Sequence, residues 1–299
     1  MSEHNRPWRH AMTALALCGA AAVVVVAPAT PASAAVPGLV RISAVSANNS
    51  NDFRTVTATC PAGKVLVGTG YELNGATGEA VVDDLRPNGG AATAPTAVTV
   101  GAYEADAFAG NWSVTAYAIC ANPIAGLVRT TVTGPSNSND FHSTVATCAA
   151  GKVLVGTGYE LNGATGEAVV DDLRPNGGAA TAPTAVTVGA YEADAFAGNW
   201  SVTAYAICAN PIAGLVRTTV TGPSNSNDFH STVATCAAGK VLTGAGYELN
   251  GATGEAVVDD FRPNGSSVTA PTSITSGAYE EDAFAGNWTL TSYAICATA

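Results

Sequence analysis

The chain has 299 residues and a formal net charge of −11, with only 12 Lys and Arg residues. These basic residues are scattered, so no cluster is available to neutralise phosphates, which argues against nucleic acid and anionic membranes as partners. Ala, Val, Thr, Gly, Ser and Asn dominate the composition, which favours short strands and turns over helices.

Residues 1–34 are predicted to be a secretory signal peptide. Arg6 and Arg9 precede an apolar run, and this run leads into the small-residue pattern Ala-Ser-Ala at 32–34. Cleavage near Ala35 removes two positive charges and one negative charge and leaves a mature chain of −12. No later apolar stretch approaches the roughly 20 residues that span a bilayer. We therefore expect a secreted, extracellular protein without membrane insertion.

The rest of the chain is a three-fold repeat with a period of 88 residues. The motif GLVR at 38–41 recurs at 126–129 and 214–217. Residues 63–154 are identical to residues 151–242, which indicates recent duplication. The predicted repeats cover 35–122, 123–210 and 211–299.

Within each repeat, alternation of apolar and polar residues predicts about six strands and no helix. In the first repeat these strands cover 38–45, 54–60, 64–73, 79–85, 97–105 and 112–120. The prediction is an all-β protein of three antiparallel sandwich-like or barrel-like units. Short linkers favour packed neighbours, and analogy with β-prisms suggests a closed assembly with pseudo-three-fold symmetry.

The six cysteines of the mature chain fall two per repeat. One bridge inside each repeat is the simplest of fifteen possible arrangements. Metal binding is the weaker alternative, since no histidine recurs in all three repeats. A bridge that closes a loop of about 60 residues contributes on the order of 4 kcal/mol in the chain-entropy model. The predicted pairs are Cys60 with Cys120, Cys148 with Cys208 and Cys236 with Cys296.

The glycine-rich stretch GKVLVGTGYEL does not match a phosphate-binding loop, because it lacks the first glycine, the Ser or Thr after the lysine and the following helix. Gly68 and Gly70 fall on one face of the predicted strand and leave bare backbone there. We therefore expect a bulky side chain such as Trp112, or a neighbouring repeat, to fill this gap.

The sequence gives weak support to two catalytic interpretations, a Ser-His-acid triad and a pair of carboxylates for glycoside hydrolysis. His142 and His230 are the only histidines of the mature chain, and each lies in SNSNDFHSTV, which is more typical of a polar loop entering a strand than of a triad. Asp83 and Asp84 are adjacent on a strand, so their side chains point to opposite faces and do not share a site. We expect a non-enzymatic protein, with a hydrolase as the least favoured alternative.

No cofactor is expected, although calcium is kept as an alternative. Hard oxygen ligands of the kind that calcium prefers are available, but they lack a known calcium-loop spacing. Solvated carboxylates in turns are the simpler interpretation. The residues concerned are Asp83, Asp84, Asn88, Glu104 and Asp106.

The stretch AYEADAFAGNW at 102–112 has the strongest character of a binding site, because aromatic rings that stack on sugars and groups that bond hydroxyls occur together. Trp112 is expected in the core and Phe108 in an exposed loop. The candidate ligand-binding residues are Tyr103, Glu104, Asp106, Phe108 and Asn111, with Tyr191, Glu192, Asp194, Phe196 and Asn199, and Tyr279, Glu280, Asp282, Phe284 and Asn287.

The pattern C-x-A-G-K-V-L-x-G-x-G-Y, followed by N-W-[ST]-[VL]-T-x-Y-A-I-C-A, resembles secreted actinobacterial repeat proteins of uncharacterised function. The resemblance covers residues 38–297 and implies secretion and a disulfide-linked β fold, without catalytic residues. We predict a multivalent binding protein for cell-surface or extracellular glycans. The alternative is a structural or protein-interaction role at the cell surface or in the matrix.

Overall fold

The computed structural model describes residues 35–178 and 181–299, and the predicted signal peptide lies outside them. Within these residues the chain forms eighteen strands and no helix, and hence no helix that could span a membrane.

The first repeat contains β1 (Val40–Val45), β2 (Phe53–Thr59), β3 (Val65–Asn74), β4 (Ala80–Pro87), β5 (Ala97–Glu104) and β6 (Ser113–Ala121). The second contains β7 (Val128–Thr133), β8 (Phe141–Thr147), β9 (Val153–Asn162), β10 (Ala168–Pro175), β11 (Ala185–Glu192) and β12 (Ser201–Ala209). The third contains β13 (Val216–Thr221), β14 (Phe229–Thr235), β15 (Lys240–Asn250), β16 (Ala256–Pro263), β17 (Ser273–Glu280) and β18 (Thr289–Thr298).

The prediction of six antiparallel strands per repeat is confirmed. β8 shows the strict alternation of exposed and buried residues that its sequence FHSTVAT predicts, because one face of this edge strand meets solvent. β6 is buried along its whole length, since it lies between β1 and β3 in its sheet and the sandwich covers it. The strands are arranged in three six-stranded open sheets, so the barrel-like alternative is wrong.

Each sheet is shared between two repeats. Strands β1, β6 and β3 of repeat 1 continue into β16, β17 and β14 of repeat 3, and the same arrangement joins repeat 3 to repeat 2 and repeat 2 to repeat 1. The seam is short: β3 and β16 pair only through Glu72 with Asp260 and Tyr71 with Phe261. Each repeat therefore contributes its two halves to different sheets. The three repeats form one compact unit with cyclic pseudosymmetry.

The glycines of GKVLVGTGYEL make this assembly possible. β3, β9 and β15 contact one another around the pseudo-three-fold axis. A Cβ on Gly68 would overlap the carbonyl oxygen of Thr243, and a Cβ on Gly70 would lie 2.6 Å from Cδ of Pro263. The expectation that a neighbouring repeat fills the gap is confirmed. Bare backbone at this position lets the chains approach closely.

Layers of equivalent side chains line the axis. Thr69 Oγ1 donates to the carbonyl oxygen of Thr157 at 2.7 Å, and Thr157 Oγ1 donates to that of Ala245 at 2.6 Å. The hydroxyl groups of the next layer, Tyr71, Tyr159 and Tyr247, are also hydrogen-bonded. A cavity of about 10 Å³ lies between these tyrosines and six valines. All three repeats contribute to these layers. The axis is therefore a core that the repeats share, and it contains both apolar and polar side chains.

The three predicted disulfides are confirmed. Cys60 is bonded to Cys120 with a Cα–Cα distance of 5.7 Å, and the other two pairs have the same geometry. Since Cys60 directly follows β2 and Cys120 lies in β6, each bridge connects two different sheets across the sandwich. The bridges therefore hold together the two halves that each repeat gives to its neighbours.

Ion pairs and the chain ends complete the ring of repeats. Arg86 of repeat 1 pairs with Glu160 of repeat 2 at 2.9 Å, and equivalent pairs cross the other two seams. These pairs are partly exposed, so each contributes about 0–1 kcal/mol. Where the covalent chain does not continue, the N–H of Val36 donates to the carbonyl oxygen of Thr298 at 3.1 Å. The first and last described segments thus meet directly.

Candidate binding sites

The candidate stretch AYEADAFAGNW begins at the end of β5 and forms the loop before β6. Trp112 is fully buried in the core, as predicted. Its Nε1–H donates to Oε1 of Glu104 at 2.9 Å, and the other Glu104 oxygen accepts the N–H of Phe108 at 3.2 Å. Both oxygens of Glu104 are therefore engaged within the loop, and the same holds for Glu192 and Glu280. We conclude that this carboxylate shapes the loop.

Phe108 is half-buried, in contrast to the expected exposed position. Its ring lies directly on Gly110, where an added Cβ would overlap it, and its inner edge packs against the main core. Phe196 and Phe284 lie on Gly198 and Gly286 in the same way. Asp106 and Asn111 are exposed, and so are their equivalents in the other two repeats. Of the five predicted residues, Asp106 and Asn111 are therefore the two whose side chains are exposed to solvent.

Tyr103 belongs to an aromatic pair that the sequence did not predict. Phe53, at the start of β2, is opposite Tyr103 in the sheet register, and their ring centroids are 4.4 Å apart. The Phe53 side chain is 40% exposed. Phe141 with Tyr191 and Phe229 with Tyr279 repeat this geometry. An available signal was the aromatic residue that ends the motif NSNDF in every repeat.

The chain neighbours of this aromatic pair, Asp52 and Glu104, line a cleft. In repeat 1, a cleft of about 280 Å³ is lined by Asp52, Glu104, Ala105, Asp106 and Ala107. Its counterpart in repeat 2 measures about 360 Å³, and Thr253 and Glu255 from repeat 3 form part of its wall. The clefts are therefore acidic, and the repeat 2 cleft is built by two neighbouring repeats.

The loops of all three repeats approach one end of the pseudo-three-fold axis. Burial, together with repulsion from Asp282, Asp194 and Asp106, raises the pKa of Glu281 to about 7. Because these aspartates come from three different repeats, their loops must be close together. Beneath them, Val81, Val169 and Val257 form a small apolar cluster. The candidate sites thus occupy one end of the molecule.

Asp83 and Asp84 differ in environment, as expected for adjacent residues. Asp83 is buried at a bulge of β4, and burial together with nearby Asp84 raises its pKa well above the ordinary aspartate value. Asp84 lies on the outer face over Gly101. Among the described residues, no group of three or more His, Cys, Asp or Glu side chains is arranged to hold a metal ion.

His142 and His230 do not line the clefts. Both are buried on the inner face of their strands, and their rings pack against Trp200 and Trp288 at centroid distances of 4.2 Å and 3.8 Å. Arg54 occupies the equivalent position in repeat 1 and lies over Trp112. These three residues therefore lie beneath the candidate loops and support them.

A comparison with models of protein families finds no match for this chain, and a comparison with curated proteins finds none either. The chemistry of the residues themselves is the remaining basis for a function.

Proposed function

We propose that this is a secreted, non-enzymatic binding protein whose three repeats each present a glycan-binding site. The observation that carries the proposal is the partly exposed Phe53 ring, which is paired with Tyr103 and recurs with the same geometry in the other two repeats. The apolar face of a sugar ring stacks on such an aromatic platform, while polar groups around it fix the orientation.

The exposed polar groups fit this role. Asp52 and Asp106 line the cleft and are exposed, so their oxygens can accept hydrogen bonds from sugar hydroxyl groups. Asn111 supplies both a donor and an acceptor at the end of the same loop. Glu104 contributes indirectly, because both of its oxygens hold the loop in place.

The three-fold arrangement supports multivalent binding. The sites are held on one compact unit and their loops gather at one end of it. Three weak sites that engage one surface together gain roughly 10² to 10⁴ in apparent affinity. The three disulfides fit an oxidising compartment, which agrees with the proposed secretion.

A glycan array tests the proposal. The wild-type protein is compared with a triple variant that carries Phe53→Ala, Phe141→Ala and Phe229→Ala. The matched control carries Thr59→Ala, Thr147→Ala and Thr235→Ala, at exposed positions of the same three strands. We expect binding by the wild type and the control and loss of binding by the aromatic variant. An array without signal for the wild type at high concentration contradicts the proposal.

One observation favours the alternative of a protein-interaction role. Valines on edge strands are exposed: Val45 on β1 is 62% exposed and Val145 on β8 is 49% exposed. Edge strands with apolar side chains are able to pair with another chain. Under this alternative, Val145→Lys with Val233→Lys abolishes co-sedimentation of the protein with intact cells, whereas the Phe variant does not affect it.

A further inference from the structure

The three repeats differ at one buried position beneath their binding loops. In repeat 1 this residue is Arg54, and in repeats 2 and 3 it is His142 and His230. Each of these side chains is only 4% exposed and packs against the tryptophan of its repeat. The position therefore holds a permanent cation in one repeat and a titratable ring in the other two.

Arg54 is well provided with hydrogen-bond acceptors. Its Nε–H donates to the carbonyl oxygen of Trp112 at 3.1 Å, one Nη donates to that of Phe53 at 2.9 Å, and the other Nη donates to that of Asn49. A buried cation is tolerated where its donors are paired in this way. These bonds also fasten residues 49–53, which include the platform residue Phe53, to the buried tryptophan.

The histidines lack such a complete set of hydrogen-bond acceptors. Nε2 of His142 and Nε2 of His230 are buried without a hydrogen-bond partner among the described residues. A neutral imidazole tolerates this position, whereas protonation places a cation and a donor there without an acceptor at Nε2. Stacking on the tryptophan offsets only part of this cost, since a cation–π contact is weaker than the loss of hydration of a buried charge.

The groups that face His230 have opposing effects. Burial, the largest cause, lowers its pKa below the ordinary histidine value, while the Asn225 carbonyl and the Glu280 carboxylate act to raise it. From the paired strand β17, the residue opposite is uncharged Ala278, and from the facing sheet the ring contact is Trp288. Glu280 itself already accepts the Nε1–H of Trp288 at 3.0 Å. The charged form of His230 is thus less favourable in the folded protein than in the unfolded chain.

We propose that His142 and His230 are an acid-sensitive device that loosens the platform segments of repeats 2 and 3, while Arg54 keeps that of repeat 1 in place. The segments concerned are residues 137–141 and 225–229, which contain Phe141 and Phe229. On acidification, the segments that these two buried and incompletely hydrogen-bonded rings support open to water. If the proposed glycan sites exist, the number of intact sites changes from three to one; this consequence rests on the proposed function, whereas the opening itself does not.

Hydrogen–deuterium exchange of the full chain without any ligand tests the device. After correction for intrinsic exchange rates, we expect the peptides that cover 137–141 and 225–229, which are identical in sequence, to lose protection between pH 7 and pH 5. The peptide that covers 49–53 should keep its protection. Equal loss in all three repeats, or no loss in any, overturns the proposal.

Exchanging the residues between repeats gives the matched variants. The double variant with His142→Arg and His230→Arg should be protected at pH 5 in all three repeats. Arg54→His should transfer the acid-dependent loss of protection to 49–53 without changing repeats 2 and 3. Should the double variant not fold, Arg54→His alone decides: its segment becomes acid-sensitive if the device exists and stays protected at pH 5 if it does not. Since no glycan is present, failure here is distinct from failure of the proposed function.

Discussion

Asp259 of repeat 3 accepts the backbone N–H of Gly78 in repeat 1 at 3.3 Å, while its other carboxylate oxygen is buried without a hydrogen-bond partner among the described residues. Asp83 and Asp171 have the same orphaned oxygen at the other two seams. Each seam of the assembly therefore contains one buried, incompletely paired carboxyl group.

We expect these aspartates to make the assembly more stable in acid than in neutral solution. Burial is the main cause that raises the pKa of all three well above the ordinary value. The folded state therefore binds more protons, and the stability that these groups contribute is fully present below the unfolded pKa of about 4 and is lost as the pH rises through the folded pKa. The combined variant Asp83→Asn, Asp171→Asn and Asp259→Asn should gain stability over the wild type as pH increases.

Urea unfolding at several pH values between 4 and 9 measures this difference. Glu79→Gln is the control, because it removes an exposed carboxylate and no buried charge. A variant that loses stability relative to the wild type at the high end of this range would show that the carboxylates are required in their charged form.

Gly68→Ala should destabilise the packing of repeat 1 against repeat 3 at the axis. Its Cβ would overlap the backbone of Thr243, which cannot move without shifting β15. Overpacking of this kind costs about 1–3 kcal/mol and occasionally more. Gly90→Ala is the control, since only Thr93 Oγ1 lies nearby, at 3.8 Å. Chemical denaturation of both variants measures the effect, and equal stability of the two would disprove close backbone packing at the axis.

Ala245→Thr should stabilise the protein. Thr69 and Thr157 each donate to the next repeat, but the third position of this ring is Ala245, which has no hydroxyl group. A threonine there can donate to the carbonyl oxygen of Thr69 and add about 0.5–1.5 kcal/mol. Thr157→Ala, which removes a bond, should have the opposite effect. If Ala245→Thr lowers the free energy of unfolding, the layer lacks room for a third hydroxyl.

Glu281→Ala should stabilise the protein in neutral and alkaline solution. Glu281 stands where repeats 1 and 2 have Ala105 and Ala193, and its pKa is raised to about 7. Its favourable contribution exists below the unfolded pKa of about 4 and is lost as pH rises through about 7. The gain of the variant should therefore be larger at pH 8 than at pH 5 in thermal unfolding. Ala105→Glu is the reverse test, and it should destabilise the protein more at pH 8.

The strands, the disulfides and the buried Trp112 could be predicted because alternation and cysteine position are local properties of the sequence. The sharing of sheets could not. The repeats are almost identical, so the equivalent strands β4, β10 and β16 have nearly the same pattern. The sequence therefore does not show which of these three strands pairs with β3. The paired glycines indicated a close neighbour, but only the structure identifies it as the backbone at Thr243 and Gly244.

The candidate site was predicted in part. Tyr103, Asp106 and Asn111 are at least partly exposed, but the role of Glu104 as a support depends on two hydrogen bonds that residue type alone does not specify. Phe53 was missed because it follows a polar run that resembles an ordinary loop, and its partner is 50 residues away in sequence.

The meeting of Val36 and Thr298 suggests how the molecule arose. Two of the three joints in the ring are covalent, and at the third the described segments that contain Val36 and Thr298 are hydrogen-bonded to each other. An ancestral chain of one repeat would have to exchange its halves with two identical copies to form the same three sheets. Tandem duplication of such a gene would convert an association that depends on concentration into folding of one polypeptide. Individual copies would then be free to diverge, as repeat 3 has done at Ala245 and Glu281.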